Sequence, residues 1–194
     1  MFLLLALILL VIYLIPTYVE PTVIKGIITK EERDHIIKEA TNKLEPSEIS
    51  AKKEIDTTVR KSETAWLDLD DPIVSRVVDR CLQFMDRPKD NCENLQVVKY
   101  TPGGYYKPHF DSINDENPRL YTLLIALNDD YEMGETEFPN LERKYKMKEC
   151  DGLFFHNLDN YELCSSKSLH GGRPVKSGEK WICNLWVRKY PYSS

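Results

Sequence analysis

One stretch of the sequence carries a pair of side chains that can bind a metal ion. Residues 100–111 read YTPGGYYKPHFD, and the segment ends in His109, Phe110 and Asp111. On a β-strand, residues two apart point to the same face, so this strand would place an imidazole beside a carboxylate. Two histidines and one carboxylate, with coordination positions left open, form a ligand set that suits non-haem Fe(II). A second histidine is therefore expected from elsewhere in the chain.

The second histidine has few candidates, because the chain contains 4 histidines. His170 lies in the segment SLHGG, and Lys180 follows it in GEKW. His35 falls on a predicted helix, and we expect it to pack there. His156 falls in the apolar segment GLFFHNL, where we expect it to flank the pocket. These residues alone leave the choice of the third ligand open.

Three motifs occur in order along the chain: YxPGxxYxxHxD, GETxFP and LHGGxPVxxGEKW, followed by a terminal WVR. Together they resemble the collagen-type prolyl 4-hydroxylases, which are 2-oxoglutarate- and Fe(II)-dependent dioxygenases, and this chain would be a short single-domain form. The resemblance covers residues 23–190. It implies that His109, Asp111 and His170 bind Fe(II), and it does not assign His156 to the metal.

The resemblance also implies a binding site for 2-oxoglutarate. Lys180 would pair with the far carboxylate of this co-substrate, and the hydroxyls of Tyr100 and Thr122 would meet the same carboxylate. The residues themselves favour part of this assignment, because burying a lysine without an anionic partner is costly. An anion at the closed end of the pocket is therefore expected.

The reaction that the resemblance implies is hydroxylation of prolyl residues in a proline-rich or collagen-like peptide to 4-hydroxyproline. It is coupled to decarboxylation of 2-oxoglutarate to succinate and CO₂, with O₂ as co-substrate and L-ascorbate to restore oxidised iron. Tyr106, Arg119 and Trp186 match family positions that border the peptide groove. Two aromatic rings and one donor suit an extended, polyproline-type peptide.

Two positions depart from the family pattern. Met133 stands where the family has the first of two glycines, which could tilt that strand. Arg173 stands where a cysteine often precedes Pro-Val, so the cysteine pairing of the family is not carried over. Neither position is among the expected metal ligands.

Three other functions use the same residues. The enzyme could hydroxylate another residue, such as lysine, or a small molecule. The chain could be a catalytically silent, membrane-anchored peptide-binding module, although the complete ligand set and Lys180 argue against this. A zinc hydrolase on the same three ligands would need a general base, and the sequence offers none near them.

Composition sets further bounds. The chain has 194 residues, which suggests one catalytic domain, and a net charge of -5, which does not suggest nucleic acid as a partner. Its five cysteines show no zinc-ribbon spacing. Cys81 falls on an apolar helical face and is expected to be a buried thiol, whereas Cys92 and Cys150 lie in polar surroundings and could form disulfides. The oligomeric state is left open.

The N-terminus begins with an unbroken apolar run over residues 1–15, closed by Pro16. With the residues to position 19, the run is just long enough to cross a bilayer. It predicts a signal anchor over residues 1–19 and a catalytic domain over residues 20–194. The basic residues that follow the run would place this domain in the cytosol. The resemblance instead implies a single-pass protein with its catalytic domain in the lumen of the endoplasmic reticulum.

The remaining pattern predicts two helices followed by about eight strands. Thr29 and Glu32 form a capping box that opens a helix to about residue 44, and Asp71 and Pro72 open a second helix to about residue 85. Residues 45–69 between them read as a long loop, in which residues 59–62 and Trp66 resemble a family segment that folds over the peptide. The strands are expected at 95–100, 105–111, 120–127, 134–139, 143–148, 152–158, at His170 and at 181–188.

This order of elements indicates a mainly β fold with flanking helices (α+β). We expect a double-stranded β-helix, or jelly roll, preceded by an N-terminal membrane-spanning helix.

Overall fold

The structure is a computed structural model that describes residues 15–49, 54–112 and 116–193. Its two α-helices are α1, Lys30–Thr41, and α2, Pro72–Cys81. The strands, in chain order, are β1 Thr22–Ile24, β2 Glu45–Pro46, β3 Arg60–Lys61, β4 Glu63–Leu67, β5 Leu95–Tyr100, β6 Tyr105–His109, β7 Arg119–Ala126, β8 Glu132–Met133, β9 Thr136–Phe138, β10 Arg143–Tyr145, β11 Gly152–His156, β12 His170–Gly172, β13 Val175–Ser177 and β14 Lys180–Arg188.

Two antiparallel sheets make up most of the fold. The major sheet has seven strands in the order β1-β11-β7-β14-β5-β4-β2, and the minor sheet has five in the order β10-β9-β12-β6-β3. A short β13-β8 ladder lies beside them. This is a mainly β architecture with few helices, consistent with the predicted jelly roll.

Helix α1 begins at the predicted capping box. The Thr29 side chain accepts a hydrogen bond from the Glu32 backbone at 3.2 Å, and the Glu32 carboxylate accepts one from the Thr29 backbone at 2.9 Å. Glu32 also accepts two bonds from the Arg80 guanidinium, at 2.6 and 2.9 Å. The carboxylate that starts α1 thus also ties it to α2. The helix ends at Thr41, slightly before the predicted end.

Helix α2 begins as predicted, with Asp71 as its N-cap and proline at its first position. The Asp71 carboxylate accepts from the backbones of Ile73 and Val74. The helix ends at Cys81, and the predicted final turn is instead the 3₁₀ segment Leu82–Phe84. The buried side chains of α2 pack on the outer face of the major sheet.

Strand β14 lies at the centre of the major sheet, paired with β7 on one side and β5 on the other. Successive side chains of a strand point to opposite faces, so β14 belongs to two environments. Facing the helices, in the outer core, are Trp181, Cys183, Leu185 and Val187. Facing the minor sheet, and lining a cavity there, are Lys180, Ile182, Asn184, Trp186 and Arg188.

A second, smaller core fills the space between the two sheets. Phe138 from the minor sheet meets Phe155 from β11 edge to face, with ring centroids 5.1 Å apart. Both rings are fully buried. This packing holds the two sheets together on one side of the cavity.

The predicted loop over residues 45–69 is wrong in part, because it contains β2, β3 and β4. Strand β4 pairs with β5 along its whole length, burying Ala65 and Leu67 while Trp66 is 45% exposed. The sequence of β4 shows no clear alternation of apolar and polar residues, because only two of its five residues are buried apolar side chains. The segment therefore extends the major sheet with β4 and β2 and the minor sheet with β3.

The predicted anchor lies mostly outside the described residues. Its described part, residues 15–19, contains no helix. Thr17 donates its backbone N–H to the Asn160 side chain at 2.7 Å, and the Tyr18 hydroxyl donates to the His156 carbonyl at 2.9 Å. The domain packing therefore begins before residue 20. No helix in the described parts of the chain is long and apolar enough to span a membrane.

All five cysteines carry free thiols. Cys81 is fully buried, as predicted. The possible disulfides at Cys92 and Cys150 are not present, and these side chains are only 5% and 7% exposed. Both pack in the outer core despite their polar sequence neighbours.

Candidate active site

The pairing of β6 with β12 brings the predicted metal ligands together. His109 lies directly opposite His170 in this register. Strand β6 ends at His109, so Asp111 lies just beyond the strand rather than on it as predicted. Its carboxylate nevertheless lies 3.5 Å from Nε2 of His109 and 3.6 Å from Nε2 of His170. One ligand atom from each residue lies within 4.8 Å of the others, so the three could hold one metal ion.

Both imidazoles are oriented for metal binding by backbone carbonyls. Nδ1 of His109 lies 2.9 Å from the Lys107 carbonyl, and Nδ1 of His170 lies 2.9 Å from the Ser168 carbonyl. A carbonyl oxygen only accepts, so each Nδ1 carries the proton and each Nε2 keeps its lone pair. Burial lowers the pKa of His170 to about 4, which keeps this ring neutral at pH 7. The donor set therefore fits a divalent metal ion.

The close approach of β12 to β6 depends on Gly171. A Cβ atom at this position would lie 2.9 Å from the Tyr106 carbonyl oxygen and 3.0 Å from the Pro108 nitrogen. Any side chain here would push the two strands apart and separate His109 from His170. The glycine after the third ligand is thus part of the site.

Asp111 is held by two donors from the major sheet. Oδ2 accepts from the Thr122 hydroxyl at 2.7 Å and from the Trp186 indole at 2.9 Å. Burial alone would raise the pKa of Asp111, but the positive charge that His170 and His109 acquire on protonation, together with the Arg119 guanidinium, holds this pKa well below its usual range. The carboxylate is therefore ionised, as a metal ligand must be. The Thr122 hydroxyl is engaged here, behind the metal ligand, rather than at the end of the pocket where the resemblance places it.

A cavity of about 570 Å³ lies between the two sheets, with the three ligands on its wall. At another point of the same wall, Lys180 is only 3% exposed. Its Nζ donates to the Gly134 carbonyl at 2.8 Å and lies 5.3 Å from the ring centroid of Tyr100. Burial lowers the pKa of Lys180 to about 8, outweighing the attraction of Glu135. A buried ammonium whose bonded acceptor is neutral favours an anion in the cavity.

The predicted groove residues also border this cavity. The Tyr106 ring stacks on His109 with centroids 3.6 Å apart. Arg119 is bonded to Glu93 at 2.6 and 2.7 Å, and its guanidinium lies 3.7 Å from the ring centroid of Trp186. Contacts with other protein groups thus fix the orientation of the Arg119 and Trp186 side chains at the cavity wall.

Arg60 and Trp66 belong to the segment that resembles the one that folds over the peptide in the family, and both line the cavity. Arg60 is 6% exposed, and its guanidinium lies 4.7 Å from the ring centroid of Tyr106. The Trp66 ring lies 6.0 Å from that of Trp186. Recognising β4 as a strand would have placed Trp66 on the cavity face.

The other two histidines lie outside the metal site. The Phe155 ring faces His170, with centroids 4.8 Å apart, so the next residue of β11 points to the opposite face. The His156 ring accordingly contacts the Tyr121 ring, with centroids 5.0 Å apart. The expectation that His156 flanks the pocket is therefore wrong. His35 lies 2.9 Å from the Asp71 carboxylate, at the start of α2.

The two departures from the family pattern are accommodated locally. Met133 has a φ of 60°, and Gly134 after it has a φ of 68°. A left-handed conformation is strained for methionine and free for glycine. Arg173 lies 3.7 Å from the Glu135 carboxylate and 3.8 Å from that of Glu137. Neither residue is a metal ligand, as expected.

The sequence model of the 2OG-Fe(II) oxygenase superfamily matches residues 95–188, which include all three ligands and Lys180. A protein of Acanthamoeba polyphaga mimivirus whose name assigns it to the prolyl 4-hydroxylases is 37% identical, with 88% of this chain and 75% of that protein covered. Prolyl 4-hydroxylase 13 of Arabidopsis thaliana is 30% identical, with 84% of this chain and 69% of that protein covered.

A solved structure gives the same result. The viral collagen prolyl hydroxylase of Paramecium Bursaria Chlorella virus-1, as a 2OG complex, superposes with a TM-score of 0.73 at 31% identity. The match covers 88% of this chain and 96% of the viral one. The geometry of the cavity and of the metal ligands agrees with these similarities to known proteins. The chain belongs to the prolyl 4-hydroxylase family of the 2OG-Fe(II) oxygenase superfamily and is a 2-oxoglutarate- and Fe(II)-dependent dioxygenase.

Proposed function

We propose that the protein hydroxylates prolyl residues of a proline-rich or collagen-like peptide to 4-hydroxyproline, with conversion of 2-oxoglutarate to succinate and CO₂. One observation carries the proposal. The same cavity has a metal-binding triad on one part of its wall and the buried ammonium of Lys180 on another. A metal ion and an ammonium in one cavity suit a molecule with a chelating end and a distant carboxylate, as 2-oxoglutarate has.

The roles of the residues follow from their contacts. His109, Asp111 and His170 would hold Fe(II), which when bound supplies the oxidation chemistry that side chains lack. Lys180 would bind the far carboxylate of 2-oxoglutarate by a charge-assisted hydrogen bond. Tyr100 also lines the cavity, with its ring centroid 5.3 Å from Nζ of Lys180, and its hydroxyl would bind beside that ammonium.

Thr122 takes a different part in this proposal. Its hydroxyl donates to Asp111, so we assign it to holding the metal ligand rather than the co-substrate.

The substrate is proposed from the aromatic border of the cavity. Tyr106, Trp66 and Trp186 present rings around the metal-binding residues, and Arg119 contributes a fixed cationic plane. Proline-rich peptides lack many backbone N–H donors and bind through ring contacts on a preformed extended helix. The viral relative is named for collagen, which agrees with this substrate class.

Mass spectrometry tests the reaction. Proline-rich and collagen-like peptides are incubated with the protein, Fe(II), 2-oxoglutarate and ascorbate. We expect proline to gain the mass of one oxygen atom and succinate to form in equal amount. Oxygen on lysine, or on no peptide, would instead favour the alternative residue or small-molecule hydroxylase.

Variants of the ligands give the matched comparison. His109→Ala, Asp111→Ala and His170→Ala should each abolish turnover, because the ligands act as a unit. His156→Ala removes a histidine from the opposite face of β11 and should retain its metal. Near-normal activity and metal content in any ligand variant would contradict the assignment.

We also propose that the apolar run at the N-terminus, which precedes the residues that pack on the domain, anchors the protein in the membrane of the endoplasmic reticulum, with the catalytic domain in the lumen, where ascorbate would sustain turnover. The apolar composition of residues 1–15 supports this. A glycosylation-acceptor tag at the C-terminus would report the orientation. An unmodified tag in a competent secretory system would contradict the lumenal placement.

A further inference from the structure

Asn157 lies one residue beyond β11 and is fully buried. Its side-chain Nδ2 donates to the Thr122 hydroxyl at 3.0 Å, and that hydroxyl donates to Oδ2 of Asp111 at 2.7 Å. We propose that Asn157 is a positioning residue for the metal site, acting through Thr122 on the carboxylate ligand. The proposal rests on the metal-binding function proposed above for Asp111.

The direction of the hydrogen bonds supports this role. An ionised carboxylate can only accept, so the hydroxyl proton of Thr122 must point to Asp111. The hydroxyl oxygen then has lone pairs to offer, and the partner on its other side must be a donor. The amide of Asn157 supplies that donor. If the amide were turned around, its oxygen would compete with Asp111 for the only proton of Thr122.

The amide oxygen of Asn157 shows what this orientation costs. Among the described residues, Oδ1 is buried and has no hydrogen-bond partner. An unsatisfied buried acceptor costs roughly 1–3 kcal/mol. An asparagine that only filled space would not require this arrangement, since an apolar side chain of similar size would avoid it. The N–H donated to Thr122 is therefore the feature that explains an amide at this position.

The backbone of the same residue leads to a second ligand. The Asn157 carbonyl accepts from the Ser168 hydroxyl at 3.1 Å and from the Ser165 backbone at 3.2 Å. The Ser168 carbonyl in turn accepts from Nδ1 of His170. Replacing the side chain of Asn157 leaves these backbone groups in place, so such a variant tests the path through Thr122 alone.

The test measures metal affinity directly. Co(II) is titrated into full-length protein without 2-oxoglutarate, and binding is followed by calorimetry and by the visible absorbance of the metal. Thr122→Val removes a hydrogen-bond partner of a ligand and should bind Co(II) about 10–100-fold more weakly. Asn157→Leu acts through that hydroxyl and should weaken binding by about tenfold, the lower end of this range. Thr122→Ser, which keeps the hydroxyl, should bind nearly as well as the wild type.

A double-mutant cycle identifies the path. In a Thr122→Val background, Asn157→Leu should cause little further loss, because the hydroxyl that transmits its effect is already gone. The matched control is Asn91→Leu. Asn91 is 3% exposed and donates one bond to the Arg188 carbonyl rather than to a metal ligand or to Thr122. This variant should lose stability but keep its Co(II) affinity. Asn157→Ala, which adds no bulk, replaces the leucine variant if that does not fold.

The outcomes separate the two proposals. If Asn157→Leu or Asn157→Ala binds Co(II) as well as Asn91→Leu, or if the losses simply add in the cycle, the positioning role is wrong and the metal site stands. If the wild-type protein binds neither Co(II) nor Fe(II), the proposed function itself fails.

Discussion

Replacing Lys180 with methionine tests the assignment of 2-oxoglutarate most directly. Methionine fills nearly the same space, so the variant removes the ammonium without opening a large cavity. One charge-assisted hydrogen bond contributes about 1.5–3 kcal/mol. At tenfold for each 1.4 kcal/mol, affinity for 2-oxoglutarate should fall by roughly 10- to 150-fold.

The fold should tolerate this change. Lys180 is 3% exposed and its pKa is lowered to about 8, so its burial opposes folding. Its removal relieves that cost but leaves the Gly134 carbonyl without its present donor, which costs roughly 1–3 kcal/mol. These effects oppose one another, and we expect little net change in the free energy of unfolding.

The assay is an anaerobic titration of 2-oxoglutarate into the Fe(II) protein, following the charge-transfer absorbance of the chelate. Lys99→Met is the matched control, because Lys99 lies on the adjacent strand with Nζ paired to Glu179 at 2.8 Å. It should bind 2-oxoglutarate like the wild type. If Lys180→Met also binds it normally while remaining folded, the argument from the buried ammonium is refuted.

Three further predictions concern pH, the metal site and the fold. The lowered pKa of Lys180 means that the side chain loses its proton as pH rises through about 8, so affinity for 2-oxoglutarate should fall above that pH. In Lys180→Met the titrations should show no such fall, and an equal fall in both proteins would assign it to another group. Trp186→Phe keeps a ring but removes the bond to Asp111, so Co(II) affinity measured by calorimetry should drop about tenfold; unchanged affinity would show that this bond does not support the ligand. Thr29→Ala should lower the free energy of unfolding in urea by about 1 kcal/mol through loss of the cap of α1, while Thr29→Ser should restore it; equal stability of all three proteins would mean that the cap is not needed.

Local sequence rules predicted the helix starts and most strands well. The capping box at Thr29 and the Asp71-Pro72 start depend on neighbouring residues only, and the apolar run of β7 indicates a buried strand. These features need no knowledge of distant contacts. Strand β4 was missed because its pairing with β5, rather than its own apolar content, makes it a strand.

The site was predictable in its ligands but not in its supports. Spacing and resemblance led to His170, yet nothing local could show that Thr122 donates to Asp111 rather than to the co-substrate. That bond depends on how β7 faces the end of β6. Asn157 could have been suggested by alternation, since it lies two residues after Phe155, just beyond the end of β11, and the intervening His156 faces away.

The alternation along β14 has a consequence for how relatives of this protein can diverge. Even-numbered positions from 180 to 188 line the cavity, and odd-numbered positions between them fill the outer core. Substitutions at Asn184 or Ile182 can therefore reshape the binding surface over generations without disturbing the packing beneath the helices. A one-residue insertion or deletion would exchange the two sets at once, placing Lys180 in the core. Evolution of substrate preference on this strand is thus restricted to replacement at alternate positions, and changes in length must be confined to the turns at its ends.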